Sequence, residues 1–371
     1  MILDSIAGLA LLLMLITWIG YPAVVWAAGR LRRVSVAALH DPVPTVSVVI
    51  ASREAAHAIR ARVDNCFDTG YPASRLEVVV ALDRSATPAD EALFGDADER
   101  VRVVPATGRG KAAALNAGVS ASQGSVIVFA DTWQRYEPGA IAALTAELAD
   151  PRVGAVSGSL QLPPGRALLT RAYWMYERWL RRCEARVHST IGATGAVYAL
   201  RRELWRPLPA GLLLDDVYAP MQVVLGGRRV AFADGARAVE LRSSAPRQEY
   251  QRKVRTLTGV LQVCAWLPVL LLPHRNPVWV QFVMHKLARM ATPYALAAMG
   301  LWLAMRAAPL FGAFLLPASA ALVVGAAWAT FGRSAGAGRL RDLIVEGTLL
   351  QVAVITAGVN GFRGRWEVWN G

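Results

Sequence analysis

Only 18 % of the 371 residues are charged, and three of the 40 basic ones are lysines. So little charge against 54 % hydrophobic residues excludes a disordered chain and is too apolar for an ordinary soluble domain. Cysteine is scarce as well. Cys66, Cys183 and Cys264 are odd in number and stand far apart, which argues against both a disulfide framework and a thiolate metal site. The five histidines offer no H-x-x-x-H ligand pair. No basic stripe interleaved with aromatics and no zinc-finger pattern is present, so nucleic acid is not an expected partner. The net charge of +13 instead suits anionic membrane lipids or the phosphates of a nucleotide.

The apolar residues gather at the two ends. Ile6 to Ala28 carries no charge, and at about 1.5 Å per residue it can cross a hydrocarbon core of about 30 Å. Trp18, Tyr21 and Trp26 lie towards its far end, and Arg30, Arg32 and Arg33 follow, which places the next segment in the cytoplasm. Because the basic residues follow the apolar run and no small-residue cleavage site is evident, it reads as a retained anchor and not as a signal peptide. Ala288–Met305, Pro309–Phe331 and Leu343–Phe362 read as further spans, with Arg333, Arg339 and Arg341 marking a cytoplasmic loop. Glu346, costly in lipid, is expected to face protein. Val260–Pro273, short and interrupted by Pro268, reads as an interfacial or re-entrant piece. The expected divisions are an anchor with its basic flank (1–40), a cytoplasmic catalytic domain (41–245), an interfacial segment (246–275) and C-terminal membrane helices (276–371). The expected location is the inner cell membrane, crossed several times.

The middle alternates strands and helices. Val46–Ala51, Leu76–Asp83, Val101–Pro105 and Ser125–Asp131 are near-continuous apolar runs, the pattern of parallel strands covered on both faces. Glu54–Phe67, Gly110–Ser120 and Pro138–Ala149 read as the helices between them. The expected fold is α/β, a doubly wound and mostly parallel sheet, and ligands bind such sheets beyond the carboxyl ends of the strands. Those ends carry Ser52, Arg53 and Glu54, then Asp83, Arg84 and Ser85, then Asp131. Gly108-Arg109-Gly110-Lys111 is a glycine-rich basic loop before a helix, suited to a phosphate-bearing ligand.

Taken in order, Val46-Ser47-Val48-Val49-Ile50, Val80-Ala81-Leu82-Asp83, the run Gly110 to Gly118, and Phe129-Ala130-Asp131 resemble glycosyltransferase family 2. The match continues through Val156-Ser157-Gly158, Ala193-Thr194-Gly195-Ala196, Leu214-Asp215-Asp216 and Arg252-Lys253-Val254-Arg255. The resemblance implies a GT-A fold and an inverting transfer of sugar from a nucleotide-diphosphate sugar, by family habit a UDP-sugar. It implies that Asp83 recognises the base, with Ser52, Glu54, Ser85 and Lys111 on the donor. Asp131 would be the first acid of D-x-D, holding Mg²⁺ or Mn²⁺ on the diphosphate. Asp216, beside Asp215, would be the catalytic base of the E-D pair. Arg255, with Arg252, would stand for Q-x-x-R-W against the leaving diphosphate, and Thr194 and Gly195 would contact the acceptor.

Three departures qualify this. The D-x-D motif reads Asp131-Thr132-Trp133, without the second acid. Q-x-x-R-W reads Arg252 to Thr256, without the glutamine or the acceptor-stacking tryptophan. The E-D pair is Asp215-Asp216. The expected acceptor is lipid-linked or polysaccharide, in cell-surface polysaccharide or glycolipid synthesis. The competing expectations are a processive polysaccharide synthase, a synthase releasing a sugar phospholipid, and a non-catalytic membrane scaffold with a degenerate nucleotide-binding domain.

Overall fold

A computed structural model describes residues 2–31, 43–83, 98–163, 168–242, 246–311 and 335–366. Its centre is an eight-stranded sheet in the order β3-β2-β1-β4-β7-β6-β8-β5. The first four are β1 (Val46–Ser52), β2 (Leu76–Leu82), β3 (Val101–Pro105) and β4 (Val126–Ala130). They run parallel, in the places the apolar runs predict. The rest is β5 (Gln134–Tyr136), β6 (Val153–Gln161), β7 (Tyr198–Arg201) and β8 (Arg229–Glu240). Here β7 is antiparallel to both β4 and β6, and β5 to β8, while β6 and β8 are parallel. The second half of the sheet is therefore mixed, where the sequence suggested a mostly parallel one.

Alternation along β1 explains its unbroken apolar run. Val49, with Val79, Ile127 and Phe129, faces one core. Val46, Val48 and Ile50, with Val78, Val80 and Val128, face the other. Helices α4 (Lys111–Ala121) and α7 (Asp215–Leu225) cover the first face, and α3 (Ala56–Phe67) and α5 (Ala140–Glu147) the second. With helices on both faces, neither side of the strand meets water.

Around this sheet lie the longer helices. The N-terminal pair α1 (Ile2–Leu15) and α2 (Tyr21–Leu31) joins through a π-turn into one apolar helix, Ile2–Leu31, long enough to cross a membrane. It is the one such helix among the described residues. Its side packs on α10 (Thr292–Phe311), where Trp18 Nε1 donates to Thr292 Oγ1 at 3.1 Å. It also runs along α6 (Leu168–Val187), while Leu9, Leu12, Ile19 and Val24 stay exposed. Helix α8 (Pro246–Trp266) packs against α11 (Ala335–Phe362), whose apolar part is Gly347–Phe362. Of the segment Val260–Pro273, which the sequence reads as interfacial or re-entrant, the first part continues α8 to Trp266 before a 3₁₀ turn, Pro268–Leu271. A short helix, α9 (Trp279–Phe282), leads through the turns Val283–Leu287 and Ala288–Ala291 into α10. Most of the expected span Pro309–Phe331 lies outside the described residues.

Candidate active site

The site assembles around one ammonium. Lys111 is the first residue of α4, and Gly110 before it has φ +89°, a left-handed conformation that suits glycine. Asp83, at the end of β2, holds this turn: its Oδ1 accepts the Gly110 N–H at 3.1 Å. The Lys111 Nζ then lies 3.0 Å from Asp131 Oδ1, at the end of β4, and 3.3 Å from Asp215 Oδ1, in the first turn of α7. Burial alone would lower the Lys111 pKa. The charges of Asp131, Asp215 and Asp216 outweigh it, with Arg255 opposing, and the amine is held charged above its ordinary range. Asp83, Lys111, Asp131, Asp215, Asp216 and Arg255 thus belong to one neighbourhood.

The two adjacent acids differ. Asp215 is buried, with Lys111 on one oxygen and the Tyr198 hydroxyl donating to the other at 3.5 Å. Asp216 is half-buried. Burial first, and then the Asp215 charge, raise its pKa to about 6. Gly195 crosses directly over it: a Cβ there would stand 3.1 Å from Asp216 Oδ2. Thr194 is pinned beside this glycine, its N–H donating to Ser157 Oγ at 3.0 Å and its hydroxyl to the Gly158 carbonyl at 3.1 Å. Arg255, from α8, donates Nη2 to the Leu213 carbonyl at 3.0 Å, two residues before Asp215. Arg252 turns instead to Glu249 on its own helix, 2.6 Å away.

At the donor end, Thr132 Oγ1 donates to Ser52 Oγ at 2.9 Å, tying β4 to β1, and Ser52 Oγ accepts the Glu54 N–H. Glu54 pairs with Arg242 at 3.1 Å, and that guanidinium lies 3.7 Å over the Trp133 ring. The position where D-x-D has its second acid therefore carries an aromatic ring under a cation. Ser85 and Arg84 lie outside the described residues.

Asp131 is the metal ligand that the D-x-D resemblance implies, and no cluster of three or more metal-ligating side chains occurs among the described residues. A single exposed-edge carboxylate fits a Mg²⁺-type cation carried in largely by substrate phosphates and water, the way such ions bind at nucleotide sites. Behind it, the buried Arg62 donates Nε to the Asp131 carbonyl at 3.0 Å and stacks on Tyr136. The sequence reading missed Arg62 and Arg242; both act from elements distant in sequence.

A further cluster was also missed. Tyr21 of α2 donates to Glu184 Oε1 at 2.5 Å. His285 sits between Glu184, at 2.8 Å, and Glu177, at 3.0 Å, and Arg289 pairs with Glu177. Glu177, Arg181 and Glu184 are spaced to share one face of α6, a signal the sequence did carry.

Comparison with known proteins agrees with this architecture. The model of the family described as glycosyl transferase family 2 matches residues 47–203. The probable glycosyltransferase YdaM of Bacillus subtilis (strain 168) is 32 % identical over 136 residues, 34 % of this chain and 32 % of that protein. The chain thus spans about a third of that relative's length. The mannosyltransferase PcManGT from Pyrobaculum calidifontis, solved in complex with GDP-Man and Mn²⁺, is 24 % identical at a TM-score of 0.71. That likeness covers 97 % of this chain and 99 % of that one, a fold shared along the whole length.

Proposed function

We propose that the chain, whose residues 47–203 match the model of glycosyl transferase family 2 and whose fold is shared along its length with a mannosyltransferase, transfers a sugar, with inversion, from a nucleotide-diphosphate sugar to a membrane-associated acceptor. The observation that carries this is Lys111 seated between Asp131 and Asp215, with Asp83, Asp216 and Arg255 around it. Asp83, Glu54 and Ser52 would face the nucleoside. Lys111 and Arg255 would take the diphosphate, whose negative charge grows as the glycosidic bond breaks. Asp131 would hold a divalent cation, Mg²⁺ or Mn²⁺, which when bound supplies Lewis-acid neutralisation of the leaving diphosphate.

Asp216 is suited to the proton. A carboxylate raised to about 6 is ionised at neutral pH yet more basic than an ordinary one. The acceptor oxygen would attack the anomeric carbon, its proton passing to Asp216 as the bond to the nucleotide diphosphate breaks and that group leaves. Asp215, neutralised by Lys111, would position and not react. Thr194 and Gly195, lying over Asp216, would border the acceptor.

Single transfer is favoured over polymer synthesis by one position. Thr256 stands where processive synthases carry their stacking tryptophan, and its hydroxyl is spent on the Arg252 carbonyl of its own helix. The exposed apolar helix Ile2–Leu31 supports a membrane location, and Arg30, Arg32 and Arg33 at and after its end support a cytoplasmic sheet.

The test is nucleotide diphosphate release by the full chain in detergent across a panel of UDP- and GDP-sugars, with Mg²⁺ or Mn²⁺. Asp216→Asn is expected to lower acceptor-dependent release by about 10²–10⁴-fold. Unchanged release in that variant, or no turnover of any donor by the wild type, would leave the scaffold reading standing.

A further inference from the structure

Asp131 stands without the help that D-x-D normally gives it. Trp133 occupies the place of the second acid, so the motif offers no further carboxylate to share in orienting a cation. The backbone here is not held by a ladder either. Strand β4 ends at Ala130, and β5, which starts at Gln134, pairs with β8 at the sheet edge and not with β4. Asp131–Trp133 therefore lie in a turn that belongs to neither strand.

What holds this turn comes from α3. Arg62 and Asn65, three residues apart, share one face of that helix. Arg62 donates Nε to the Asp131 carbonyl at 3.0 Å, its Nη1 donates to Asn65 Oδ1, and its guanidinium lies 3.9 Å over the Tyr136 ring. Asn65 grips the far end, accepting the Tyr136 N–H at 2.8 Å and donating Nδ2 to the Tyr136 carbonyl at 3.0 Å. The Tyr136 hydroxyl then donates to the Phe129 carbonyl at 2.8 Å, two residues before Asp131. The segment from Phe129 to Tyr136 is thus pinned at both ends and in its middle.

An arginine is a costly way to fill this space. Arg62 is 0 % exposed, and its Nη2 is buried with no partner. No ion pair includes it among the described residues. Its charge is felt nearby: burial, and then Arg62, lower the Arg135 pKa. The contact with Tyr136 offsets only part of the cost of burying a cation. An uncharged side chain of the same length would pack here more cheaply, so packing alone does not account for the residue. Its fork takes the Asp131 backbone, while Lys111 takes the Asp131 carboxylate at 3.0 Å.

We propose that Arg62, together with Asn65 and Tyr136, is a positioning residue for the donor site, setting the Asp131 turn so that one carboxylate can orient the divalent cation of a nucleoside diphosphate. This rests on the transferase reading above and adds to it the device that stands in for the second acid. Groups that orient a metal ligand from behind are worth about 10–100-fold in metal affinity.

The experiment titrates UDP and GDP into the full chain in detergent, once with Mn²⁺ and once with EDTA, and follows the melting temperature of each variant. Mn²⁺ is expected to tighten nucleotide binding by the wild type. Arg62→Met, which keeps the length of the side chain, is expected to cut that gain by about tenfold or more. Its affinity in EDTA is expected to stay within about twofold of wild type, because Asp83 and Lys111 are held by other elements. Arg62→Lys, the milder change, keeps the charge and is expected to recover part of the gain at a melting temperature near that of the wild type. A merely structural role would lower both affinities together, and that result, in Arg62→Lys if Arg62→Met does not fold, overturns the proposal. So does a wild type whose nucleotide affinity is indifferent to Mn²⁺, or an Arg62→Met variant that keeps the whole gain; either leaves the transferase reading in place. A wild type that binds neither nucleotide under either condition defeats that reading itself.

Discussion

At the scale of residues, the site is built on two carboxylates made unlike by their surroundings. Lys111 and the Tyr198 hydroxyl satisfy Asp215, while Asp216 keeps a raised pKa of about 6. Only the unprotonated base is active, so kcat/KM should fall about tenfold per unit as pH drops below about 6, and level off above it. Replacing Asp215 by Asn removes the nearest raising charge, so the acid limb should move to lower pH; a pH–rate profile checks both. The same sign bears on stability. A group with its folded pKa above the unfolded value stabilises the fold at low pH and ceases to as pH rises through about 6. Asp216→Asn should therefore leave the neutral-pH melting temperature unchanged or higher, as site residues often do. Lys111→Met leaves Asp131 and Asp215 without their cation, and should weaken donor binding by about tenfold or more in a nucleotide titration.

At the scale of elements, legibility followed burial. Strands β1, β2 and β4 were readable because helices cover both faces and their runs are almost wholly apolar, broken by Ser47, Ser52 and Glu77. Strand β6 was not: Gly154, Ser157, Gly158 and Ser159 interrupt its pattern. Gly158 leaves room for the Ala236 carbonyl and Val197, and Ser157 holds Thr194. The donor acids were legible by motif, whereas Arg62 and Arg242 reach the site from distant elements and carry no local pattern. Where β1 and β4 begin, far from the strand tips, Gly124 lets the chain enter β4. A Cβ there would stand 2.5 Å from the Ser47 N and 2.6 Å from Ser47 Oγ, and backbone must move to admit it. Gly124→Ala should cost about 1–3 kcal/mol, seen as a lower melting temperature, with the nucleotide affinity of the folded fraction unchanged.

At the scale of the molecule, one buried charged cluster joins the apolar N-terminal helix to the half that carries the sheet. Glu177, Glu184 and His285 are 7 %, 0 % and 2 % exposed. They connect Tyr21 of α2, two turns of α6 and the segment before α10, with Arg289 paired to Glu177 and stacked 4.6 Å over Trp18. The two ring nitrogens of His285 face carboxylate oxygens, Nδ1 towards Glu184 and Nε2 towards Glu177. Removing it with His285→Leu leaves Glu184 to Tyr21 and Glu177 to Arg289, each buried carboxylate short of one partner, a loss of about 3–5 kcal/mol in comparable buried charge clusters. The damage should be local to this junction, because Lys111 and its acids are held by the strand tips of the sheet and the first turns of α4 and α7. Lys286 follows His285 in the chain, Arg181 lies between Glu177 and Glu184 on α6, and both cations act on Asp216, so their placement depends on the junction. His285→Leu should then raise the KM for acceptor and lower acceptor-dependent turnover while nucleotide affinity stays near wild type. An equal loss of nucleotide binding would mean that the apolar N-terminal helix and the sheet form one cooperative unit, and that the junction serves the whole site, not its acceptor half.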